Sequence, residues 1–295
     1  MKVIITGAYG MLGKDILKVL TDDPDFTPYS FDIQKNPAIS HKNAIIMDIT
    51  DFDKANAAID KIKPDAIIHC AAFTDVKWCE QDKNHAATDR LHVDATKNLA
   101  SYKGAKFICI STDSVFDGKL GNYSEDALPS PLTYYAKSKL DGERAALKAN
   151  KETLIIRTNI YGFHSPARIS SFFIDGALNS LRASKNINGY DNVFVNFIYT
   201  KQLAMIIGKM LKANVNGLIN VASKETVSKY GFLLKLADTF NFDKGLINEQ
   251  AAPPSMNPGN TSLNIDKLKA LLDITPTIDE GLKMLKNDIM LTEGK

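Results

Sequence analysis

The chain has 295 residues, of which 44% are apolar and 24% charged, which is ordinary for a globular protein and argues against disorder. Its 36 basic and 34 acidic residues give a net charge of only +2 without any lysine or arginine block, so nothing in the charge indicates a nucleic-acid partner. No apolar run approaches the roughly 18 residues of a membrane span, and glycines interrupt the first apolar stretch, so we expect a cytoplasmic protein with no signal peptide and no membrane partner.

The first 160 residues alternate short apolar runs with amphipathic stretches. The apolar runs are Lys2–Thr6, Thr27–Phe31, Ala44–Met47, Ala66–Cys70, Lys106–Ser111 and Leu154–Arg157. The amphipathic stretches include Met11–Leu20, Asp53–Ile62, Ala86–Ser101 and Tyr134–Lys148. Strands buried on both faces have continuous apolar runs, and parallel strands need crossover helices. The alternation therefore predicts an α/β fold with a doubly wound parallel sheet.

Helical patterns dominate after Arg157. They cover Ser170–Leu181, Thr200–Leu211, Ser228–Phe240, Ile265–Leu272 and Ile278–Met284. Two short strand candidates, Val193–Asn196 and Gly217–Asn220, have the composition to return to the sheet edge. The proline-rich stretch Ala251–Asn260 is typical of a rigid surface loop.

A glycine-rich turn connects the first predicted strand to the first predicted helix. Its glycines have the spacing Gly-x-x-Gly-x-x-Gly. The first glycine permits a tight turn, the second lets the backbone approach a pyrophosphate, and the third allows close packing of helix on strand. Exposed N–H groups and the helix dipole then favour an anion. The predicted cofactor-binding residues of this turn are Gly7, Tyr9, Gly10, Met11, Leu12 and Gly13.

Asp32 lies at the end of the second predicted strand, 19 residues after Gly13. A carboxylate at this point can accept hydrogen bonds from a ribose diol, and its charge would repel a 2′-phosphate. NAD(H) is therefore the favoured cofactor, while the nearby Lys35 leaves NADP(H) open. A glycine-rich turn with an N-capping aspartate is the structural alternative.

A tyrosine and a lysine have the spacing of a catalytic pair. Tyr135 and Lys139 are four residues apart in a predicted helix, and such positions share a helix face. A nearby positive charge favours a phenolate, so we expect Lys139 to lower the pKa of Tyr135 from about 10 and to assist proton exchange with a substrate oxygen. Thr112 follows a predicted buried strand, where ligands of parallel sheets bind, and its hydroxyl is expected to reach the same oxygen. The structural alternatives are that Tyr135 merely lies at the edge of an amphipathic helix and that Thr112 merely caps a helix or turn.

Cysteines and histidines show no spacing that indicates a metal or redox site. Cys70 and Cys109 lie in apolar runs, where a thiol behaves as a small hydrophobe. Cys79 has no second cysteine at metal or redox spacing, and the five histidines are scattered. We expect reduced structural thiols and no metal site.

Taken together, these segments resemble the extended short-chain dehydrogenases, and most closely the dTDP-4-dehydrorhamnose reductases. The resemblance runs nearly end to end, and STDxVFDG followed by YxxSKxxGE is fairly specific to this branch. The segments that carry it are TGAYGMLG (6–13), MDITD (47–51), KPDAIIHCAAFTDV (63–76), STDSVFDG (111–118), PLTYYAKSKLDGE (131–143), RTNIYG (157–162) and PGNTSLNIDKL (258–268).

The resemblance implies a Rossmann domain over residues 1–157, its sheet completed by segments within 188–221. Residues 158–187 and 222–295 would form a smaller C-terminal α/β substrate domain. It also implies that a nicotinamide hydride goes to a sugar C4 ketone while Tyr135 protonates the nascent alkoxide, with Thr112 as the third catalytic residue and Lys139 also holding the nicotinamide ribose. Further cofactor-binding positions would be Asp48, Ile49, Ala71, Ala72, Tyr135 and Lys139. The substrate-binding positions would be Thr74, Asp113, Ser114, Asn159 and Asn257.

The chain departs from the usual family pattern at several positions. Ile160 replaces a tryptophan, Asn257 an arginine and Lys77 an acidic residue, and these changes concern the substrate side. His92 replaces an asparagine on a helix of the cofactor domain. The cofactor and triad motifs are intact, so the chemistry is better indicated than the substrate.

Three functions agree with these motifs. The first is a ketoreductase acting on a small-molecule nucleotide-linked deoxysugar. The second is a related epimerase, and the third is a dinucleotide-binding regulatory subunit without turnover, against which the intact triad argues. Asp113 is followed by Ser114 and not by the glutamate expected of a dehydratase. A homodimer is compatible with the sequence.

Overall fold

The computed structural model describes residues 1–36, 41–163, 173–253 and 259–293. It divides into two compact units. The first comprises Met1–Phe116, Leu128–Arg157 and Ala204–Ile219, and the second comprises Asp117–Ala127, Thr158–Leu203 and Asn220–Lys295. Within the described ranges, no helix is both long and apolar enough to cross a membrane.

A seven-stranded sheet forms the centre of the first unit. Its strands are β1 (Lys2–Thr6), β2 (Thr27–Asp32), β3 (Ala44–Ile46), β4 (Ala66–His69), β5 (Lys106–Ile110), β6 (Leu154–Arg157) and β11 (Gly217–Asn220). The spatial order is β11-β6-β5-β4-β1-β2-β3, and the six strands from β6 to β3 pair in parallel. Strands β4 and β6 are buried along their whole length, and in each the first three residues are apolar, as expected of a strand covered on both faces. The predicted doubly wound parallel sheet is confirmed.

Helices connect these strands. They are α1 (Met11–Asp22), α2 (Phe52–Ile62), α3 (Val76–Cys79), α4 (Asp82–Asp89), α5 (Thr96–Ala100), α6 (Tyr134–Ala149) and α8 (Thr200–Lys212). Polar caps define their ends: Asp51 accepts a hydrogen bond from the Lys54 N–H at the start of α2, and Thr133 accepts one from the Ala136 N–H at the start of α6. The amphipathic stretch Ala86–Ser101 is helical up to Ala100, because α4, a π-helical turn (Arg90–Ala95) and α5 follow one another without a break.

The second unit combines helices with short strands. Its helices are α7 (Phe173–Arg182), α9 (Lys229–Phe240), α10 (Asp266–Leu272) and α11 (Ile278–Glu293), and its strands are β7 (Ile160–Tyr161), β8 (Ile187–Tyr190), β9 (Phe194–Val195), β10 (Ile198–Tyr199), β12 (Val227–Ser228) and β13 (Ile247–Gln250). The strands pair as β10-β7, β12-β9 and β13-β8. The segment Val193–Asn196 therefore does not return to the large sheet. Its short strand β9 pairs antiparallel with β12, whereas Gly217–Asn220 does join the large sheet, beside β6.

Candidate active site

The carboxyl ends of β1, β4 and β5 lie side by side. Thr6, the last residue of β1, pairs with His69 in β4, and His69 pairs with Cys109 in β5. The loops that follow these three strands therefore begin at one edge of the sheet. In open parallel sheets this edge is where ligands bind.

The glycine turn after β1 has no room for side chains at two of its glycines. Gly7 has a φ of +64°, and a Cβ added there would lie 2.8 Å from the backbone N and Cα of Ala71. A Cβ at Gly13 would overlap the carbonyl oxygen of Gly7. The helix α1 consequently starts tight against the strand, with Gly10 at its N-cap. The first N–H groups of a helix, here those of Met11, Leu12 and Gly13, have no partner within it and can bind an anion.

Asp32 is tied to this turn. Its carboxylate Oδ2 accepts a hydrogen bond of 2.9 Å from the backbone N–H of Tyr9. The phenol of Tyr9 lies 3.1 Å from the hydroxyl of Ser30, so Tyr9 is held at both ends. Asp32, the predicted ribose-binding residue, is therefore also hydrogen-bonded to the glycine-rich turn that is predicted to bind the phosphates.

The remaining cofactor-binding candidates lie after β3 and β4. Asp48 Oδ1 accepts hydrogen bonds of 2.8 Å from both the N–H and the hydroxyl of Thr50, and Ile49 is buried in the core. The Ala71 N–H donates to the Thr6 hydroxyl, at 3.4 Å, and Ala72 is half-buried. The substrate candidate Thr74 is exposed in the same loop.

Thr112 and Tyr135 come together after β5. Thr112 is the N-cap of a 3₁₀ turn, Asp113–Val115; its hydroxyl accepts from the Ser114 N–H at 3.1 Å and donates to Asp113 Oδ1 at 3.2 Å. The 3₁₀ turn packs against α6, and the Thr112 hydroxyl is near enough to the Tyr135 phenol to lower its pKa. The two hydroxyls predicted to contact one substrate oxygen are therefore neighbours.

The expected effect of Lys139 on Tyr135 is wrong for this structure. Burial and, to a smaller extent, the nearby Asp113 carboxylate raise the pKa of Tyr135 to about 12, while the Thr112 hydroxyl opposes the shift. Lys139 is almost fully buried, and its Nζ donates a 2.8 Å hydrogen bond to the carbonyl oxygen of Ile110 at the end of β5. Tyr135 is therefore a protonated phenol at neutral pH, the form that can donate a proton.

The charge of Lys139 acts on other buried groups. It opposes the burial that raises the pKa of the Cys70 thiol to about 12 and that of Cys109 to about 11. It also adds to the burial that lowers the pKa of His69 to about 3 and that of His92 to about 2. The two cysteines are therefore protonated thiols, in agreement with the prediction of structural thiols.

A buried ion pair fastens α6 to the sheet, and its two residues are not among the predicted site residues. Arg157, at the end of β6, donates from Nε and Nη2 to the two carboxylate oxygens of Glu143, at 3.0 and 2.7 Å. The Ser111 hydroxyl donates to the same carboxylate. The signal was present, because Glu143 is the final letter of YxxSKxxGE and Arg157 is the first letter of RTNIYG.

Two substrate candidates are not among the described residues of the first unit. Asn159 belongs to the second unit, where its carbonyl oxygen accepts from the Ile198 N–H at 2.9 Å. Asn257 lies outside the described residues. Within the described ranges, no group of three or more histidine, cysteine or acidic side chains could hold a metal ion.

Comparisons with known proteins place the chain in a family. The family model described as RmlD substrate binding domain matches residues 1–289. A probable low-salt glycan biosynthesis reductase, Agl14, from Haloferax volcanii is 27% identical over 97% of each chain. Methionine adenosyltransferase 2 subunit beta from Xenopus tropicalis is 28% identical over 92% of this chain and 82% of its own.

A solved structure has the same fold over nearly its whole length. The dTDP-4-dehydrorhamnose reductase from Bacillus anthracis, solved in complex with NADP, has a TM-score of 0.84 and 25% identity, covering 97% of this chain and 99% of its own. The resemblance predicted from the motifs is thereby confirmed. The chain belongs to the RmlD substrate binding domain family.

Proposed function

We propose that the protein is a nicotinamide-dependent reductase of the 4-keto group of a nucleotide-linked deoxysugar. The observation that carries the proposal is that Thr112, which follows β5 at the carboxyl edge of the sheet, caps a turn packed against α6, the helix that carries the Tyr135 phenol. The similarity to a B. anthracis dTDP-4-dehydrorhamnose reductase and to a glycan biosynthesis reductase supports this class of substrate and a role in polysaccharide biosynthesis.

The residues of the turn fit a dinucleotide. Gly7 and Gly13 let the turn pack against the backbone of Ala71 and let α1 start directly above the Gly7 carbonyl, and the first N–H groups of α1 can bind a phosphate. Asp32 would accept hydrogen bonds from the adenosine ribose, and Asp48, Ile49, Ala71 and Ala72 would line the path of the cofactor. The negative charge of Asp32 favours NAD(H). The nearby Lys35 and the NADP bound by the B. anthracis relative keep NADP(H) as the alternative.

The chain's own residues would handle the proton. A bound reduced nicotinamide would supply the hydride. Tyr135 would donate its phenolic proton to the oxygen that becomes the alcohol, and the Thr112 hydroxyl would hydrogen-bond that oxygen. Lys139, whose Nζ donates to the carbonyl oxygen of Ile110, would place a positive charge at the end of β5 and hold the nicotinamide ribose. Thr74, Asp113, Ser114, Asn159 and Asn257 would contact the substrate.

A regulatory subunit is the second candidate, favoured by the 28% identity to methionine adenosyltransferase 2 subunit beta. A third, an epimerase, would interconvert sugars without net oxidation of the cofactor. The test incubates the purified protein with dTDP-4-dehydrorhamnose and either NADH or NADPH, following cofactor absorbance and the mass of the sugar nucleotide. A reductase oxidises one cofactor per sugar and adds two hydrogens to the product. Sugar interconversion at constant absorbance would overturn the proposal in favour of an epimerase, and cofactor binding without either reaction would favour a regulator.

A further inference from the structure

We propose that His92 is a positioning residue, which clamps the helix of Tyr135 to the loop after β4 through a neutral imidazole of one fixed tautomer. The clamp extends the proposed function, because it rests on Tyr135 acting as the acid. It is carried by hydrogen bonds on both ring nitrogens of His92.

The donors and acceptors around His92 determine where its proton lies. The backbone N–H of Phe73 lies 2.9 Å from Nε2, and an amide can only donate, so Nε2 carries a lone pair. In a neutral imidazole the proton is then on Nδ1, which lies 2.8 Å from the Ser138 hydroxyl oxygen. The Ser138 hydroxyl in turn donates to the carbonyl oxygen of Tyr135, also at 2.8 Å. Each proton in this chain has one acceptor.

The surroundings of His92 keep it neutral. Its side chain is 1% exposed, and its ring meets that of Tyr135 edge-on, with centroids 5.8 Å apart. Burial, the Lys139 ammonium on α6 and His69 on β4 lower the pKa of His92, and they outweigh a smaller opposing effect of the Phe73 backbone. Protonation would also place a proton on Nε2 opposite the Phe73 N–H, so that two donors would face each other.

The backbone brings His92 unusually close to the helix α6. His92 lies in the π-helical turn Arg90–Ala95, a rare conformation often found at functional sites. Its carbonyl oxygen accepts from the Thr96 hydroxyl at 2.7 Å and would overlap a Cβ added at Gly142 of α6. The two helical segments therefore meet at their backbones, one helical turn along α6 from the Ser138 contact.

The clamp connects two parts of the proposed site. One is the loop after β4, which carries cofactor and substrate candidates, and the other is the helix that carries Tyr135. Phe73 lies between Ala72, a cofactor candidate, and Thr74, a substrate candidate. Ser138 and the Tyr135 carbonyl belong to the helix that carries the acid. By joining them, His92 sets the position of the Tyr135 phenol relative to this loop, and the imidazole itself exchanges no proton with substrate.

The first test measures the tautomer directly. Nitrogen-15 NMR of the full-length wild-type protein, with and without NADH, should show His92 as the Nδ1–H form with unchanged shifts from about pH 5 to 9. An Nε2–H tautomer, or a protonation step within that range, would overturn the clamp. This readout requires no turnover, so it separates failure of the clamp from failure of the proposed reductase activity.

The second test measures coupling. His92→Leu and Ser138→Ala should each lower kcat by about 10- to 100-fold, the cost of a small misplacement of a reacting group, with KM and the Kd for NADH unchanged. The double variant should be no slower than the slower single variant, because both changes break one chain of hydrogen bonds. His92→Asn, which keeps a donor near Ser138, should recover part of kcat. Additive losses, an unchanged kcat, or a loss that appears only in KM would contradict the proposal.

Discussion

The Glu143 carboxylate and the Arg157 guanidinium form a two-point ion pair in the interior of the first unit, with 3% and 4% of their side chains exposed. Arg157 also lies over the Phe116 ring, its guanidinium carbon 5.2 Å from the ring centroid. The pair ties the helix of Tyr135 to β6, and its partners cannot be separated without leaving a buried charge.

Replacing Glu143 by glutamine should destabilise the protein strongly. The change leaves the Arg157 guanidinium uncompensated, which costs about 3–5 kcal/mol of unfolding free energy. Asp141→Asn is the matched control two residues earlier, because Asp141 pairs with Arg144 on the surface and should contribute no more than about 1 kcal/mol. Urea denaturation of both variants measures the difference, and equal losses would show that the buried pair has no special role.

Gly142→Ala should also be destabilising, although alanine is the better helix former. Its Cβ would overlap the His92 carbonyl oxygen, and such overpacking costs about 1–3 kcal/mol. Gly176→Ala in α7 is the control, since its Cβ would meet nothing within 4 Å and should stabilise by about 0.5–1 kcal/mol. Thermal unfolding should therefore move in opposite directions for the two variants, and a shift in the same direction would contradict the close approach of α6.

Tyr135→Phe should abolish most turnover while leaving the affinity for the cofactor intact. Loss of the proton donor is expected to lower kcat by about 10²–10⁴-fold. The neighbouring Tyr134 provides the control: its phenol donates to Asp89 at 2.7 Å, so Tyr134→Phe should cost about 1 kcal/mol of stability and leave kcat unchanged. Steady-state kinetics with a cofactor-binding titration would settle the matter, and wild-type turnover in Tyr135→Phe would refute the assigned acid.

Asp32 should have two separate effects. Its negative charge should determine cofactor preference, and its carboxylate oxygen should hold the geometry of the turn. Asp32→Asn keeps an acceptor for the Tyr9 N–H but removes the charge, so it should weaken NADH binding while sparing or improving NADPH binding. Asp32→Ala loses both features and should weaken both cofactors, NADH more strongly. Calorimetric titration of the two variants separates these effects, and equal losses of NADH and NADPH in Asp32→Asn would remove the reason to favour NAD(H).

Stability should fall in mild acid because His69 and His92 are buried as neutral bases. Burial lowers their pKa values to about 3 and about 2, below the ordinary 6.5 that they regain in the unfolded chain. The unfolded state therefore binds more protons below pH 6.5, and stability is lost as the pH falls through that value towards 3. At pH 5 each histidine should account for about 2 kcal/mol relative to pH 8. Urea denaturation of His92→Asn and His69→Gln should show a smaller difference between the two pH values than wild type, and an identical difference would contradict the prediction.

The sequence by itself determined the sheet, the glycine turn and the order of the candidate residues. Strands buried on both faces must be continuous apolar runs, so β1 and β6 have their predicted bounds. Gly7 and Gly13 could likewise be predicted, because only glycine fits their contacts. Each of these signals lies within a few residues of chain.

Only the tertiary structure decided the electrostatics and the connections between segments. The helical spacing of Tyr135 and Lys139 could not show that the ammonium donates to Ile110, or that burial and Asp113 raise the pKa of the phenol. Nor could the sequence show the π-helical turn that brings His92 to Ser138, 46 residues along the chain. A pKa depends on every charge and dipole packed around the group, and a π turn depends on what packs against it. Both are properties of contacts between distant segments, which a local pattern does not contain.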